Sequence, residues 1–287
     1  MPSSFQRRFL MTLPTFFRIA YSINPKMNPA NPTGQVSPSH AKDEFHEIMA
    51  CHRRLGHQIE LMPAVDFPDF VFTANHALCI DGKVMLGNPR PAERRGEIIY
   101  ARKALEELSY QEFEEAPFYF SGQGDALHLG PELIMMGKQW RTDPKMAPIL
   151  AEYFDCEVVA LTTIPAGRQH QAMSYSSHFY DLDLAVAPLQ FGKSIAYCPE
   201  AFAPKERAKL ERALIDRGYR LYPVPLAEAL KGCLNLISDG SAVMRPDVKS
   251  SALEAAIAAE ALADHRLKVT ELWKGGGAIR CTALDIN

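Results

Sequence analysis

The sequence predicts an α/β fold of five similar units closed into a ring, a five-bladed propeller with its polar residues gathered around the centre. Apolar residues recur at helical spacing in five stretches, 41–55, 95–108, 143–154, 204–217 and 250–263. These stretches lie about fifty residues apart, which suggests repeated supersecondary units. Short β-rich runs fill the intervals, mostly bounded by Gly, Asp or Pro. Five units of strands plus one helix favour a ring over a doubly wound sheet. The competing Rossmann-type fold is weakened because no G-x-G-x-x-G follows an early strand. No Pro/Gly/Ser-rich linker divides the chain, so residues 1–287 are read as one domain.

Each element has its own local reason. Arg7, Arg8 and Arg18 precede the first acidic residue, Asp43, in the manner of a targeting segment, but Pro14 interrupts the apolar run. Phe16 to Ile23 reads better as a first strand, ending in the turn Asn24-Pro25. Further strands are expected at 70–73, 83–86, 133–136, 194–197 and 241–244, where β-branched or other apolar residues lie between turn formers. The helix from Pro204 to Arg217 opens with proline in its first turn, where a missing N–H costs nothing, and carries Leu210, Ala213 and Leu214 on one face.

Composition narrows the function. With 47% apolar and 23% charged residues in 287, the chain has the make-up of a soluble globular protein with a large core. A net charge of −3 and no Lys/Arg stripe argue against nucleic acid, and no run approaches the ~20 apolar residues of a membrane span. Cys51, Cys79, Cys156, Cys198, Cys233 and Cys281 form no C-x-x-C pair and no zinc-type spacing, and read as reduced thiols in a cytoplasmic protein.

Four polar clusters fall at the ends of strand-like runs. Pro68-Asp69-Phe70-Val71-Phe72-Thr73-Ala74-Asn75 places Asp69 and Asn75 on one side of an extended segment. Ser121-Gly122-Gln123-Gly124-Asp125 combines an acid with glycines that let the backbone approach a ligand. In His178-Phe179-Tyr180-Asp181-Leu182-Asp183 the two acids share one strand face. Gly275-Gly276-Gly277-Ala278-Ile279-Arg280-Cys281 presents a thiol behind a glycine turn. Each has a plainer reading: Asp and Asn as turn residues, His178 as a surface side chain, Cys281 as a small buried hydrophobe. Together, several carboxylates and one thiol match a cationic carbon electrophile, held by acids and attacked by sulfur. Lys274 beside the glycines lacks the spacing of a phosphate loop.

An ordered series of motifs then carries a resemblance over almost the whole chain: Tyr21-Ser22-Ile23-Asn24-Pro25, PDFVFTAN at 68–75, Glu93-Arg94-Arg95-Gly96-Glu97, GQGDAL at 122–127, FYDLD at 179–183 and LWKGGGAIRC at 272–281. The sequence resembles the guanidino-group-modifying (pentein) superfamily, and within it the bacterial dimethylargininase-like and arginine-dihydrolase-like amidinohydrolases. The resemblance implies a pseudo-five-fold α/β propeller with a central site and neither metal nor organic cofactor. It implies that Cys281 attacks a guanidinium carbon, that a nitrogen leaves, and that water hydrolyses a thiouronium-type intermediate. It assigns Asp125 and Asp183 to the guanidinium nitrogens and puts Asn24 and Asn75 near the substrate. Arg94 and Arg141 would hold an α-carboxylate through a bidentate pair. Asp69 and Ser121 join the substrate-binding candidates, and Asn235 is a secondary one, on a loop reaching towards the substrate. Gln169 and His170, within 167–177, are candidates for a lid.

Two positions depart from the family pattern. The third cluster usually reads Phe-Tyr-His-Leu-Asp, and Asp181 stands in place of the histidine; the second usually begins with Glu, and Ser121 stands there. Three explanations are open: His178 supplies the acid/base, Asp181 transfers protons with a pKa raised by burial and by Asp183, or hydrolysis has been lost. The expected function is cysteine-dependent hydrolysis of a C–N bond in a guanidino or amidino compound, with amidino transfer or non-catalytic binding of a small cation or a protein as alternatives. The expected partner is a small guanidino or amino-acid-like molecule, with neither nucleic acid nor membrane, and a homodimer is left open. Acidic neighbours raise a thiol pKa, so ionisation of Cys281 is expected to await the bound cation.

Overall fold

A computed structural model describes residues 6–31, 34–166 and 177–287. Fifteen short strands among them form five three-stranded sheets. In the first, β1 (Arg8–Met11) runs parallel to β2 (Gln58–Leu61) and antiparallel to the last strand of the chain, β15 (Leu284–Asp285), with Phe9 opposite Asp285. The other four follow the chain: β3 (Ala77–Ile80), β4 (Lys83–Leu86) and β5 (Glu112–Glu115); β6 (Ala126–Gly130), β7 (Leu133–Gly137) and β8 (Glu157–Leu161); β9 (Val186–Gln190), β10 (Ser194–Tyr197) and β11 (Arg220–Pro223); β12 (Ile237–Ser238), β13 (Ala242–Pro246) and β14 (Ala263–Leu267).

Every sheet has one pattern: an inner strand antiparallel to the middle strand, and a middle strand parallel to the outer one. A parallel pair needs a crossover, and each sheet supplies one helix for it: α1 (Pro38–Arg54), α2 (Ile98–Glu107), α4 (Met146–Phe154), α5 (Pro204–Ile215) and α7 (Ser251–Ala259). Two single turns, α3 (Gly122–Asp125) and α6 (Leu226–Ala229), lie between sheets. The inner strands β3, β6, β9, β12 and β15 surround a common axis, which is the five-bladed α/β propeller the five-unit spacing predicts, in the pentein form the motif resemblance implies.

The helices bury the faces their spacing marks. In α5, Leu210 and Leu214 are fully buried and Ala213 packs beside them. In α1, Ala41, Phe45 and Ile48 pack with Phe9 and Met11 of β1. Among the described residues no helix is long and apolar enough to cross a membrane.

Two expected strands do not form. Phe16–Ile23 is turn and coil; the first strand is Arg8–Met11. The alternation of Phe17, Ile19 and Ile23 is real, but these side chains fill the core without a partner strand, Phe17 meeting Phe72 edge-on at 5.4 Å. Residues 70–73 run through a turn into a 3₁₀ turn at Thr73–Asn75. Thr73 explains the difference: its single hydroxyl proton is shared between the carbonyls of Leu10 in β1 (3.0 Å) and Thr282 (2.9 Å), and its Oγ1 accepts from the N–H of Leu284 in β15 (3.1 Å), so the segment is tied to the first blade by a side chain rather than paired as a strand.

Candidate active site

Each inner strand is entered from a loop that places a polar residue just ahead of it: Asn75 before β3, Asp125 before β6, Asp183 before β9, Asn235 before β12 and Cys281 before β15. Because the five strands share one axis, these residues meet at one end of it.

Cys281 lies in a 3₁₀ turn, Arg280–Thr282, and is 3% exposed. Its Sγ is 3.3 Å from Asp183 Oδ2 and accepts from Asn235 Nδ2 at 3.1 Å. Asn235 Oδ1 accepts from the backbone N–H groups of Ala278 (3.0 Å) and Cys281 (3.3 Å), so one amide fixes both the sulfur and the turn behind it. Gly276 has φ +90, in the left-handed region that favours glycine, and a Cβ there would lie 2.5 Å from Tyr180 Oη. Asn24 closes the turn from the other side, donating to the Gly275 carbonyl at 2.9 Å. Lys274 is engaged elsewhere, by Glu271 (2.8 Å) and the Gln35 carbonyl (2.9 Å).

The acids are buried and divided between two tasks. Asp181 does not share a strand face with Asp183. It is extended and precedes the 3₁₀ turn Leu182–Leu184, which directs the two side chains to different partners. Asp181 Oδ2 accepts from Arg141 Nη1 (2.9 Å) and Asn75 Nδ2 (3.1 Å), while Asp183 faces the sulfur. Asp181 Oδ1 and Asp183 Oδ1 are buried acceptors with no hydrogen-bond donor among the described residues. Asp125 accepts from the N–H of Leu182 at 3.0 Å, and Gly137 makes room for it: a Cβ there would fall 1.8 Å from Asp125 Oδ1.

The two arginines differ. Arg94 is saturated by Glu97 (2.8–3.1 Å), Asn75 Oδ1 (2.6 Å) and the carbonyls of Asp69 and Phe72 (both 3.2 Å). The expected bidentate grip of Arg94 on a carboxylate is therefore taken by Glu97. Arg141 lies over the Tyr180 ring at 4.1 Å, and its Nε is a buried donor without an acceptor among the described residues. Removing one member of a buried pair leaves the other charge stranded. Glu97→Gln is accordingly expected to cost about 3 kcal/mol in urea unfolding; a cost below about 1 kcal/mol would show that Arg94 finds its compensation elsewhere.

Burial pushes Asp125 up to about 8 and Asp183 to about 7, each with a contribution from the Asp181 charge. Burial takes Asp69 to about 6 against the pull of Arg94. Burial, then Asp183 and Asp181, hold the Cys281 thiol well above its ordinary value. The sign for stability follows from linkage. These carboxyls keep protons in the folded protein that the unfolded chain releases near ~4, so their contribution is complete below that pH and declines as pH rises to about 8. The melting temperature of the ligand-free protein should therefore fall from pH 5 to 8 more steeply than that of Asp125→Asn. Parallel curves in circular-dichroism melts would refute this.

The cavity is lined by Asn24, Asp69, Asn75, Arg94, Arg141, Tyr180, Asp181 and Cys281, with Ile23, Phe72, Gly275 and Gly277. Its volume is about 10 Å³, room for about one water. Asp125 and Asp183 stand behind this lining. Asp69 and Asn75 reach it from a turn rather than from the extended segment expected of them. Ser121 is a support, its Oγ accepting from Asn75 Nδ2 at 3.0 Å. Gln123 turns away to the last strand, bonding both the N–H and the carbonyl of Asp285 (2.9 and 2.7 Å). His178 is half-buried and does not line the cavity. Gln169 and His170 lie outside the described residues. The sequence reading missed Glu97 and Tyr180 as site residues, although both sit inside motifs it quotes.

Residues 16–287 match the family described as N,N dimethylarginine dimethylhydrolase, eukaryotic. The chain belongs to this family. Dimethylarginine dimethylhydrolases act on carbon–nitrogen bonds. A curated relative, N(G),N(G)-dimethylarginine dimethylaminohydrolase of Mycobacterium tuberculosis, is 30% identical over 98% of this chain and 86% of its own length. Among solved structures, the product-bound N-terminal domain of ArgZ, an arginine dihydrolase from the ornithine–ammonia cycle in cyanobacteria, superposes with a TM-score of 0.87 at 26% identity, covering 98% of both chains. A variant of the same domain, covalently bound to a reaction intermediate, gives 0.87 at 25% identity with the same coverage.

Proposed function

We propose that this member of the dimethylarginine dimethylhydrolase family is a single-domain, cysteine-dependent hydrolase that cleaves a C–N bond of a guanidino compound of the arginine or dimethylarginine type. The observation that carries the reading is the Cys281 sulfur, held between Asp183 and Asn235, beside buried carboxylate oxygens that find no donor among the described residues. A guanidinium supplies N–H donors to those oxygens and a positive charge to Asp183, which has no ion pair among the described residues, whereas Asp181 is paired with Arg141.

The bound cation offsets the Asp183 and Asp181 charges and brings the thiol within reach of ionisation. Asp183, on the sulfur and with a pKa about 7, takes the thiol proton. Sulfur attacks the guanidinium carbon, the C–N bond breaks, and the leaving nitrogen takes that proton from Asp183. Water then adds to the thiouronium carbon and one of its protons passes to Asp183; the C–S bond breaks, the remaining hydroxyl proton is lost to solvent to leave a neutral ureido product, and Asp183 returns its proton to the departing thiolate. In this scheme the proton shuttle is Asp183. Asp181, engaged by Arg141 and Asn75, orients the guanidinium, and the open Nε of Arg141 suits a substrate carboxylate. A cavity of about 10 Å³ cannot hold such a substrate, so the loops around it must part on entry.

The test is mass-spectrometric product detection with arginine, monomethyl- and dimethylarginine, agmatine and citrulline. Release of ammonia or a methylamine with formation of a ureido product is the expected result. Absence of turnover and of any adduct on Cys281 with all five would refute the reading.

A further inference from the structure

The same axis has a second opening. A cavity of about 410 Å³ is lined by residues of all five inner strands, among them Ile80, His128, Leu189, Ser238 and Asp285, and it shares no lining residue with the cavity at Cys281. Two arginines reach it, Arg7 and Arg280. Arg7 is compensated: it pairs with Asp285 and donates to the Ser238 carbonyl at 2.7 Å. Arg280 has no direct ion pair among the described residues: its guanidinium donates to the Ala283 carbonyl (2.9 Å) and to Gln123 Oε1 (3.1 Å), both neutral, and Asp183 acts on it only through space, beyond salt-bridge distance. The Arg7 and Arg280 charges oppose each other.

We propose that this axial cavity binds a small singly charged oxyanion, a carboxylate or a phosphate monoanion, on Arg280 and Arg7. A cation on a recessed wall that meets only neutral oxygens retains capacity for a charge-assisted bond, and guanidinium geometry matches carboxylate and phosphate oxygens. The other acids on the wall set the size of the charge. Asp285 is spent on Arg7. Asp239 is held by His57 (3.1 Å) and by the N–H groups of Ser241 and Ala242 (both 2.7 Å). Asp81 stands exposed at the rim. With Asp285 paired to Arg7, the Asp239 and Asp81 carboxylates still face the same space, repel a polyanion and leave room for one negative group.

The test is isothermal titration of the full-length protein with acetate, inorganic phosphate and citrate, in wild type, Arg280→Gln, His128→Glu and Arg141→Gln. His128 lines the cavity with its ring edge-on to Phe191 at 5.0 Å, so a glutamate there places a tethered carboxylate beside the arginines. One-to-one binding of acetate or phosphate, with citrate weaker, is expected. Arg280→Gln and His128→Glu should each weaken it about tenfold or more, the worth of a charge-assisted contact, and Arg141→Gln should leave it unchanged. If Arg280→Gln does not fold, His128→Glu decides alone. No binding of any probe to wild type, or binding lost in Arg141→Gln and kept in His128→Glu, overturns the proposal, the second by assigning the anion to the Cys281 pocket.

Discussion

Cys281→Ser is expected to lower turnover by about 10⁴-fold or more, the scale on which loss of a nucleophile is felt, and to leave ligand binding nearly intact. Serine keeps the volume and the hydrogen-bond positions to Asp183 and Asn235. A hydroxyl is the weaker nucleophile, and a carboxyl whose pKa is about 7 cannot generate an alkoxide from it. The change therefore separates attack from recognition. Product formation and calorimetric affinity, measured on the same preparation, give the two numbers. Intact-protein mass under turnover gives a third, an adduct on wild type that is absent from the variant. A serine variant retaining more than a tenth of the wild-type rate would mean that sulfur is not the attacking atom.

Asp183→Asn should move two readouts in opposite directions. The Asp183 charge is the largest Coulombic contribution holding the thiol high, so its removal lowers that pKa, and iodoacetamide should alkylate Cys281 of the ligand-free variant faster than wild type at pH 8. Turnover should nonetheless fall by about 10²–10⁴-fold, the value of a positioned acid/base. The pH profile supplies the sign. In wild type kcat/KM rises through about 7 as Asp183 becomes able to accept the thiol proton, and the variant lacks that rise. If alkylation and turnover slow together, Asp183 holds the sulfur in place without exchanging protons with it.

The repeat was legible because five helices had to return five parallel strand pairs, and helical periodicity survives in sequence even where strands are only two to five residues long. The clusters were legible because the loops entering inner strands carry polar residues inside apolar surroundings. What alternation hid was segment type. Phe17, Ile19 and Ile23 alternate for burial against a core, as strand residues do, yet pair with no strand among the described residues. In Asp69–Asn75 the side chain of Thr73 redirected the backbone. The division of labour between Arg94 and Arg141 was beyond reach for another reason. Glu97 lies three residues after Arg94 and inside the same motif, but only the 3₁₀ turn over Ala92–Glu97 brings its carboxylate onto the guanidinium.

The pairing of β1 with β15 joins the two ends of the chain in one blade, and Cys281 lies just upstream of that seam. Non-local contacts of this length form late and slowly. During synthesis β1 must wait for Leu284 and Asp285 before its sheet is complete. The reactive sulfur thus depends on a long-range pairing for its seat between Asp183 and Asn235. A chain interrupted short of Leu284 would carry four complete blades, an open ring and a thiol released from the burial and the Asp183 charge that hold its pKa high, so an unfinished copy has an ordinary, more readily alkylated cysteine in place of an aimed nucleophile.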